Sequence, residues 1–192
     1  YEIALKQGAD MIEVDVSKSK DDKLFIFHPG MEEDHFNKKI NFKRMKFDSI
    51  AKERYVNFDN SVTQFGVSTF DDFLEQFKDR CFINVDKFWE HPQEIYNAIH
   101  RHGMDSQVIV KSAPSDKVFR VLEEVAPHLQ FMPIVSEEHK YHEVLKSKNL
   151  NYIGAEVLFT SDKSEVASNE FIEMMHKDEK LVWVNAIIYN YR

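Results

Sequence analysis

Short apolar runs alternate with helical patterns along most of the chain. Six of these runs predict buried strands, because each is bounded by turn residues and rich in Val, Ile and Phe. They cover residues 11–16, 82–87, 107–111, 129–135, 152–159 and 181–187. Alternating strands and helices predict a parallel sheet, since parallel neighbours need a crossover that is usually helical.

The helical segments carry their own start and stop signals. Pro92 stands at the first turn of one helix, and Gly103 follows its end. After Ser115, apolar residues recur at intervals of three and four positions, as on one face of a helix. The predicted helices span residues 1–7, 92–102, the stretch after Ser115, 137–147 and 165–176.

The strand and helix order favours a barrel. With five glycines in the chain, no glycine-rich phosphate loop follows a strand, so dinucleotide-binding and P-loop folds lose their main support. We therefore predict an α/β fold of the (β/α)8 TIM-barrel class, as one domain over residues 1–192. Six strands are two fewer than such a barrel contains. The first strand is expected before Tyr1 and the last after Arg192.

Residues 29–66 break the regular order. This stretch is rich in Lys, Asn and Phe and lacks sustained helical periodicity. Long irregular segments in compact domains are often functional. We predict that residues 29–66 form a small insertion after the second barrel strand, over the mouth of the active site, in place of a crossover helix.

Composition narrows the possible partners. The formal net charge of −8 argues against nucleic acid, because binding to a phosphate backbone depends on clustered Lys and Arg. The single Cys81 excludes an internal disulfide framework. The sequence contains no long uncharged apolar stretch that would predict a transmembrane helix. Composition carries no signal for compartment or oligomeric state.

One face of the first strand is acidic. Successive side chains of a strand point to opposite faces, so Glu13 and Asp15 share a face with Met11. Inside a barrel, neighbouring carboxylates repel each other and lose water unless a cation or hydrogen-bond donors compensate. A divalent cation is the simplest remedy. The alternative is an exposed edge strand whose acidic residues face solvent.

The next apolar run ends on His28. Too few residues separate it from the first strand for a crossover helix, so residues 24–28 are predicted to fold back as a hairpin arm that turns at Lys20 and Asp21. A register symmetric about that turn places Glu13 opposite His28. A structural or surface role is assigned to His35, His100, His102, His128, His139, His142 and His176.

A third carboxylate lies on the strand within CFINVDKFW, residues 81–89. Asn84 and Asp86 share a face, and Asp86 stands near the carboxyl end, where parallel-barrel enzymes assemble their active sites. Three carboxylates completed by water and substrate oxygens suit Mg²⁺ or Ca²⁺, not zinc, for which the region has no Cys/His cluster. The predicted cofactor is therefore a divalent cation.

In these motifs the chain resembles the glycerophosphodiester phosphodiesterases, barrel enzymes of the phospholipase-C-like superfamily. GADMIEVDV, a short Lys/Asp turn and KLFIFHPG resemble the family's E-x-D and histidine signature. VSTFDDFLEQF resembles its Thr-Leu helix start, INVDKFW its third-carboxylate strand and LVWVNAI its Trp-containing penultimate strand. The resemblance covers most of the chain, and the order of the motifs is more specific than any one of them.

The resemblance implies roles for individual residues. Glu13, Asp15 and Asp86 would be metal ligands, and His28 would be one of two acid/base histidines. Residues 29–66 would occupy the place of the family's small insertion.

The chain also departs from the family pattern. It contains no His-Arg-Gly motif, which carries the family's other histidine, and its third carboxylate is Asp rather than Glu. His28 is followed by Pro29 where the family usually has Asp. The family's lysine two residues after the third carboxylate falls on Phe88, and Lys87 has the wrong parity for that role.

Two further residues are predicted to bind substrate. Lys111, at the carboxyl end of its strand, is the candidate replacement for holding phosphate; the alternative is a solvated strand-end lysine. Trp183 is predicted to wall the substrate pocket, with a core tryptophan as the alternative. Glu156 closes another strand and stays unassigned.

The resulting functional prediction is metal-dependent hydrolysis of a small glycerophosphodiester to glycerol 3-phosphate and an alcohol, with acid/base catalysis by histidine. One alternative is phospholipase-type cleavage of a lipid phosphodiester. The other is a non-catalytic barrel that keeps the metal cleft as a binding module, which the His-Pro departure and the displaced lysine motivate.

Overall fold

The computed structural model describes residues 1–185 and divides the chain into two compact units, Tyr1–Val108 and Ile109–Arg192. The strands are β1 (Met11–Lys18), β2 (Leu24–Ile26), β3 (Phe82–Asp86), β4 (Val108–Ser112), β5 (Gln130–Ser136), β6 (Asn151–Tyr152), β7 (Gly154–Leu158) and β8 (Leu181–Val184). The helices are α1 (Glu2–Lys6), α2 (Glu32–Phe36), α3 (Phe47–Ile50), α4 (Phe70–Phe77), α5 (Pro92–Arg101), α6 (Asp116–Val125), α7 (His142–Lys146) and α8 (Asn169–Lys177).

In the first unit, β1 lies between β2 and β3, antiparallel to β2 and parallel to β3. The connection from β1 to β3 contains α4, whose first turn is capped where the Thr69 hydroxyl accepts a hydrogen bond from the backbone N–H of Asp72. The apolar face of β1, formed by Ile12, Val14 and Val16, is buried. The opposite face of the strand is therefore the one that carries the acidic residues.

The predicted hairpin is confirmed, but its register is not. Val16 pairs with Ile26 and Lys18 with Leu24, and the backbone N–H of Phe27 donates to the carbonyl of Asp15. This register is one residue away from the predicted one, because the connecting loop holds five residues, Ser19 to Lys23, and includes Asp22 in a left-handed conformation with φ of 62°. The predicted pairing of Glu13 with His28 is therefore wrong. A slip of one residue exchanges the faces on which side chains lie.

Residues 29–66 contain α2, α3 and a 3₁₀ turn at Phe42–Arg44. They bury a small aromatic core of their own against β2, and Glu32 accepts a hydrogen bond from the backbone N–H of Phe42 inside it. The apolar residues buried in this core are Phe25, Phe27, Phe36, Phe42, Ile50 and Val67.

In the second unit, β4, β5, β7 and β8 follow one another as parallel neighbours, and β6 also pairs with β5. Ser115 and Ser168 cap α6 and α8 through their hydroxyl groups. β7 and β8 approach so closely that a Cβ on Gly154 would lie 2.3 Å from the carbonyl oxygen of Leu181.

Four predicted elements of the second unit differ from the structure. The strand predicted over 152–159 is observed as two strands, β6 and β7. The helix predicted over 137–147 is only α7, because Glu137 has a φ of 63° that a helix does not accept. The helix predicted over 165–176 is divided at Ser168, which is extended. The strand predicted over 181–187 is observed as β8, and residues 186 and 187 lie outside the described residues.

Within residues 1–185, no helix has the length and apolar character needed to span a membrane.

Candidate metal centre

The parallel pairing of β1 with β3 sets acidic side chains next to each other. Glu13 pairs with Asn84, and Asp15 pairs with Asp86. Paired residues of adjacent strands point to the same face, so these four side chains share the face opposite the buried apolar one. Carboxylate oxygens of Glu13, Asp15 and Asp86 all lie within 4.8 Å of one another. The structure thus brings together the three carboxylates singled out in the sequence.

At the end of β3, the residue that follows Asp86 contacts its carboxylate. Lys87 adopts a left-handed conformation with φ of 61°, which stops the strand. The backbone N–H of Lys87 donates to Asp86 Oδ1 at 2.7 Å, and its ammonium lies 3.9 Å from Asp86 Oδ2. The side chain of Lys87 therefore lies beside Asp86 although alternation along β3 would place it on the other face, because alternation ends where the strand ends.

The charge of the acidic face reaches Tyr1. Partial burial raises the pKa of the Tyr1 phenol, and the negative charges of Glu13 and Asp15 raise it further. The raised pKa shows that the Tyr1 phenol senses the negative charge of this strand face.

His28 follows the end of β2 and has an exposed side chain. Its Nδ1 lies 3.0 Å from the carbonyl oxygen of Pro29. A carbonyl can only accept, so this contact requires a proton on Nδ1 and leaves Nε2 with a lone pair when the ring is neutral. Among the described residues, His28 is not part of the group of ligand atoms that lie within 4.8 Å of one another.

In the second unit, the structure brings Lys111 and Trp183 together. The Lys111 ammonium lies 5.2 Å from the centre of the Trp183 ring and forms a buried ion pair with Glu156. The other oxygen of Glu156 accepts a hydrogen bond of 2.9 Å from the Asn185 side chain. Lys111 is therefore not a solvated strand-end lysine. Its ion pair could not be read from the sequence, because β4 and β7 are separated by two helices and two strands.

A second group of possible metal ligands lies in the second unit. Ligand atoms of His142, Glu143 and Asp178 lie within 4.8 Å of one another. The Lys146 ammonium, however, lies 2.7 Å from Asp178 and 2.9 Å from Glu143. His142 Nε2 lies 2.8 Å from the same carboxylate oxygen of Asp178. A side chain of the protein already supplies the positive charge here.

His142 also belongs to a buried polar chain. The Tyr152 hydroxyl lies 2.7 Å from His139 Nε2 and 2.9 Å from His142 Nδ1. Because the Asp178 carboxylate accepts from Nε2 of His142, the neutral ring accepts the Tyr152 proton at Nδ1, and the Tyr152 oxygen accepts from His139. This network ties α7 to β6 and α8. It agrees with the structural role assigned to these two histidines.

Comparison with known proteins places the chain in a family. Residues 1–184 match the model of the glycerophosphoryl diester phosphodiesterase family. No curated protein sequence matches the chain at a significant level.

Solved structures share the fold at low sequence identity. The glycerophosphodiester phosphodiesterase of Agrobacterium tumefaciens matches with a TM-score of 0.74 and 19% identity over 95% of this chain and 77% of its own. A glycerophosphoryl diester phosphodiesterase of Parabacteroides distasonis matches with a TM-score of 0.80 and 15% identity over 94% of this chain, which spans 62% of that protein. The enzyme of Thermotoga maritima matches with a TM-score of 0.67 and 17% identity over 97% of this chain and 76% of its own. These matches confirm the predicted α/β barrel class, with a mostly parallel sheet.

Proposed function

The chain belongs to the glycerophosphoryl diester phosphodiesterase family, and from this premise we propose that it hydrolyses glycerophosphodiesters to glycerol 3-phosphate and an alcohol with the help of a divalent cation. The observation that carries the proposal is the convergence of Glu13, Asp15 and Asp86, whose carboxylate oxygens lie within 4.8 Å of one another. Carboxylates this close repel each other, and a nearby positive charge relieves that repulsion.

The donor set fits Mg²⁺ or Ca²⁺. Both are hard cations that prefer carboxylate oxygens, and both complete their coordination with water or substrate oxygens. Glu13, Asp15 and Asp86 would hold the ion. When bound, it polarises a phosphoryl oxygen and offsets the charge that develops on the phosphate in the transition state.

In this proposal His28 moves a proton. With Nδ1 held by the carbonyl of Pro29, Nε2 is free to carry one of the two proton transfers of the reaction: its lone pair can take the proton of the attacking water or substrate hydroxyl, or the protonated ring can donate a proton to the leaving alkoxide. The exposed position of the ring leaves Nε2 accessible to a substrate.

Substrate binding is proposed for Lys111 and Trp183. The ammonium of Lys111 is held in place by Glu156 and by the face of Trp183, so it is oriented before a ligand arrives. A phosphate has to share this ammonium with Glu156. Replacing Lys111 by Met is therefore expected to raise KM for the diester more than it lowers kcat.

We also propose that residues 29–66 cover the acidic face. Support comes from the hairpin register, in which Phe25 pairs with Ser17 and Phe27 hydrogen-bonds with Asp15. Phe25 and Phe27 therefore project from the same face of the hairpin as Asp15, and both belong to the aromatic core of the inserted segment.

Release of glycerol 3-phosphate from glycerophosphocholine tests the proposed function. The protein, stripped of metal and then titrated with Mg²⁺ or Ca²⁺, should gain activity with the cation and lose it on chelation. Asp15→Asn, which keeps the shape but not the charge, should need far more cation. Lysophosphatidylcholine as a parallel substrate tests the lipid alternative.

The outcome separates the candidate functions. A protein that binds the cation and glycerophosphocholine but releases no glycerol 3-phosphate would be a binding module, and the hydrolytic proposal would be wrong.

A further inference from the structure

Asn84 is a buried amide on the acidic face. It lies on β3 two residues before Asp86, and it pairs with Glu13 of β1. The residue has 0% of its surface exposed. Within the part of the chain that the structure describes, neither Oδ1 nor Nδ2 of Asn84 has a hydrogen-bond partner.

A buried amide without partners is unfavourable for folding. Each unsatisfied donor or acceptor loses its hydrogen bonds to water on folding without gaining one in the protein, whereas an apolar group of the same shape avoids that cost. Asn is also uncommon in strands. The neighbours of Asn84 on β3, Ile83 and Val85, are apolar and fully buried on the other face. The strand therefore does not need a polar residue at position 84 in order to fold.

The position of Asn84 suggests which ligand satisfies it. Its side chain projects from the same strand face as Glu13, Asp15 and Asp86, so the orphaned amide and the converging carboxylates belong to one surface. Mg²⁺ in particular retains several water molecules when carboxylates bind it. Those waters are hydrogen-bond donors, and carboxylates are acceptors. A carboxamide is the uncharged side chain that serves both, with one acceptor oxygen and a donor NH₂ group.

We propose that Asn84 is a positioning residue of the cation site, an inference that rests on the proposed function. When the cation is bound, Asn84 Oδ1 would accept a hydrogen bond from a water molecule on the cation, and Nδ2 would donate one to the carboxylate of Glu13. The amide thereby orients a ligand and holds a water without adding negative charge to three carboxylates. Groups in this outer position typically contribute 10- to 100-fold to metal affinity.

The test is Asn84→Leu, which keeps approximately the same shape and removes both polar atoms. Calorimetric titration of the metal-free protein with Mg²⁺ should show affinity weakened by about 10- to 100-fold. Thermal melting of the metal-free variant should occur at the same or a higher temperature, because two unsatisfied polar atoms are removed. The matched control is Val85→Ala on the opposite face, which should melt at a lower temperature and bind Mg²⁺ like the unmodified protein.

The outcomes distinguish the inference from the proposed function. If Asn84→Leu binds Mg²⁺ like the unmodified protein, or melts at a lower temperature without metal, Asn84 is a structural residue and only this inference is overturned. If the unmodified protein binds neither Mg²⁺ nor Ca²⁺, the cation step of the proposed function is wrong and the inference falls with it.

A second variant covers the case in which Asn84→Leu does not fold. Asn84→Asp adds a fourth carboxylate, so the metal-free protein should melt at a lower temperature at neutral pH. Added Mg²⁺ should then raise the melting temperature more than it does in the unmodified protein. An equal rise in both proteins would show that position 84 does not face the cation.

Discussion

Within residues 1–185, two clusters of ionisable side chains have the spacing of metal ligands, and they differ in the side chains that supply positive charge. In the first unit, Glu13, Asp15 and Asp86 converge, and the Lys87 ammonium lies 3.9 Å from one of them. In the second unit, the Lys146 ammonium lies within 3 Å of both carboxylates that could join His142 at a metal, at 2.7 Å and 2.9 Å. Ligand spacing alone therefore does not define a metal site. The second cluster is an ion-pair network, whereas the first is the one for which we propose cation binding.

Electrostatics of the second cluster agree with this distinction. The ammonium of Lys146 and the imidazole of His142 lower the pKa of the Asp178 carboxyl to about 2. Burial, together with a smaller effect of the neighbouring His142, lowers the pKa of His139 to about 4. The network is therefore stable with a charged Asp178 and an uncharged His139 at neutral pH.

The largest expected effect is on catalysis at the first cluster. His28→Ala should lower kcat for glycerophosphocholine by about two to four orders of magnitude, the usual contribution of a positioned acid or base. Cation affinity should change little, and no concentration of Mg²⁺ or Ca²⁺ should restore turnover. Near-normal turnover, or rescue by metal, would show that His28 is a ligand or a bystander.

Removing one carboxylate from each cluster should affect Mg²⁺ binding differently. Asp15→Ala should weaken Mg²⁺ binding by more than about 100-fold, the upper range for groups that only support a ligand. Asp178→Ala should leave Mg²⁺ affinity unchanged and lower the melting temperature. Both affinities are measured by calorimetric titration. Weaker Mg²⁺ binding in Asp178→Ala would show that the second cluster also binds metal, and the two clusters would then not differ in this respect.

A smaller effect is expected inside the second cluster. Tyr152→Phe leaves nitrogen atoms of His139 and His142 buried without their common partner. The free energy of unfolding should fall by about 1–3 kcal/mol, measured by urea denaturation, while Mg²⁺ affinity stays the same. If Tyr152→Phe instead leaves stability unchanged and weakens Mg²⁺ binding, the structural role of this network is contradicted.

The smallest expected effect is on the stability of the folded protein at acidic pH. It does not arise at neutral pH. The folded pKa of His139, about 4, lies below its ordinary value of 6.5. Between these values the unfolded chain binds a proton that the folded protein does not, so stability falls as the pH falls from 6.5 to 4. Asp178 acts in the same direction between its ordinary value of 3.8 and about 2.

Melting temperatures across pH check this prediction. His139→Gln should reduce the slope between pH 6.5 and 4, with a remainder from His91, whose pKa burial also lowers. Asp178→Asn should reduce the fall in melting temperature between pH 3.8 and about 2. An unaltered upper slope in His139→Gln would mean that His139 is protonated equally well in the folded protein.

Local patterns explain which elements could be predicted. Pro92 and the caps Thr69 and Ser115 act on the backbone within a few residues, so the starts of α4, α5 and α6 are readable from sequence. Glu137 could not be anticipated, because a non-glycine residue takes a left-handed conformation only when its surroundings impose it.

The sequence by itself determined the barrel class and which acidic residues share a strand face, because alternation along a strand and the order of strands and helices depend only on neighbouring residues. Tertiary structure decided the rest. The hairpin register depends on the conformation of five loop residues, and it moved His28 from the predicted place opposite Glu13. Whether an acidic group is balanced depends on side chains distant in sequence, as Lys111 with Glu156 and Lys146 with Asp178 show. Burial of Asn84 without a partner is likewise a property of the packed strands.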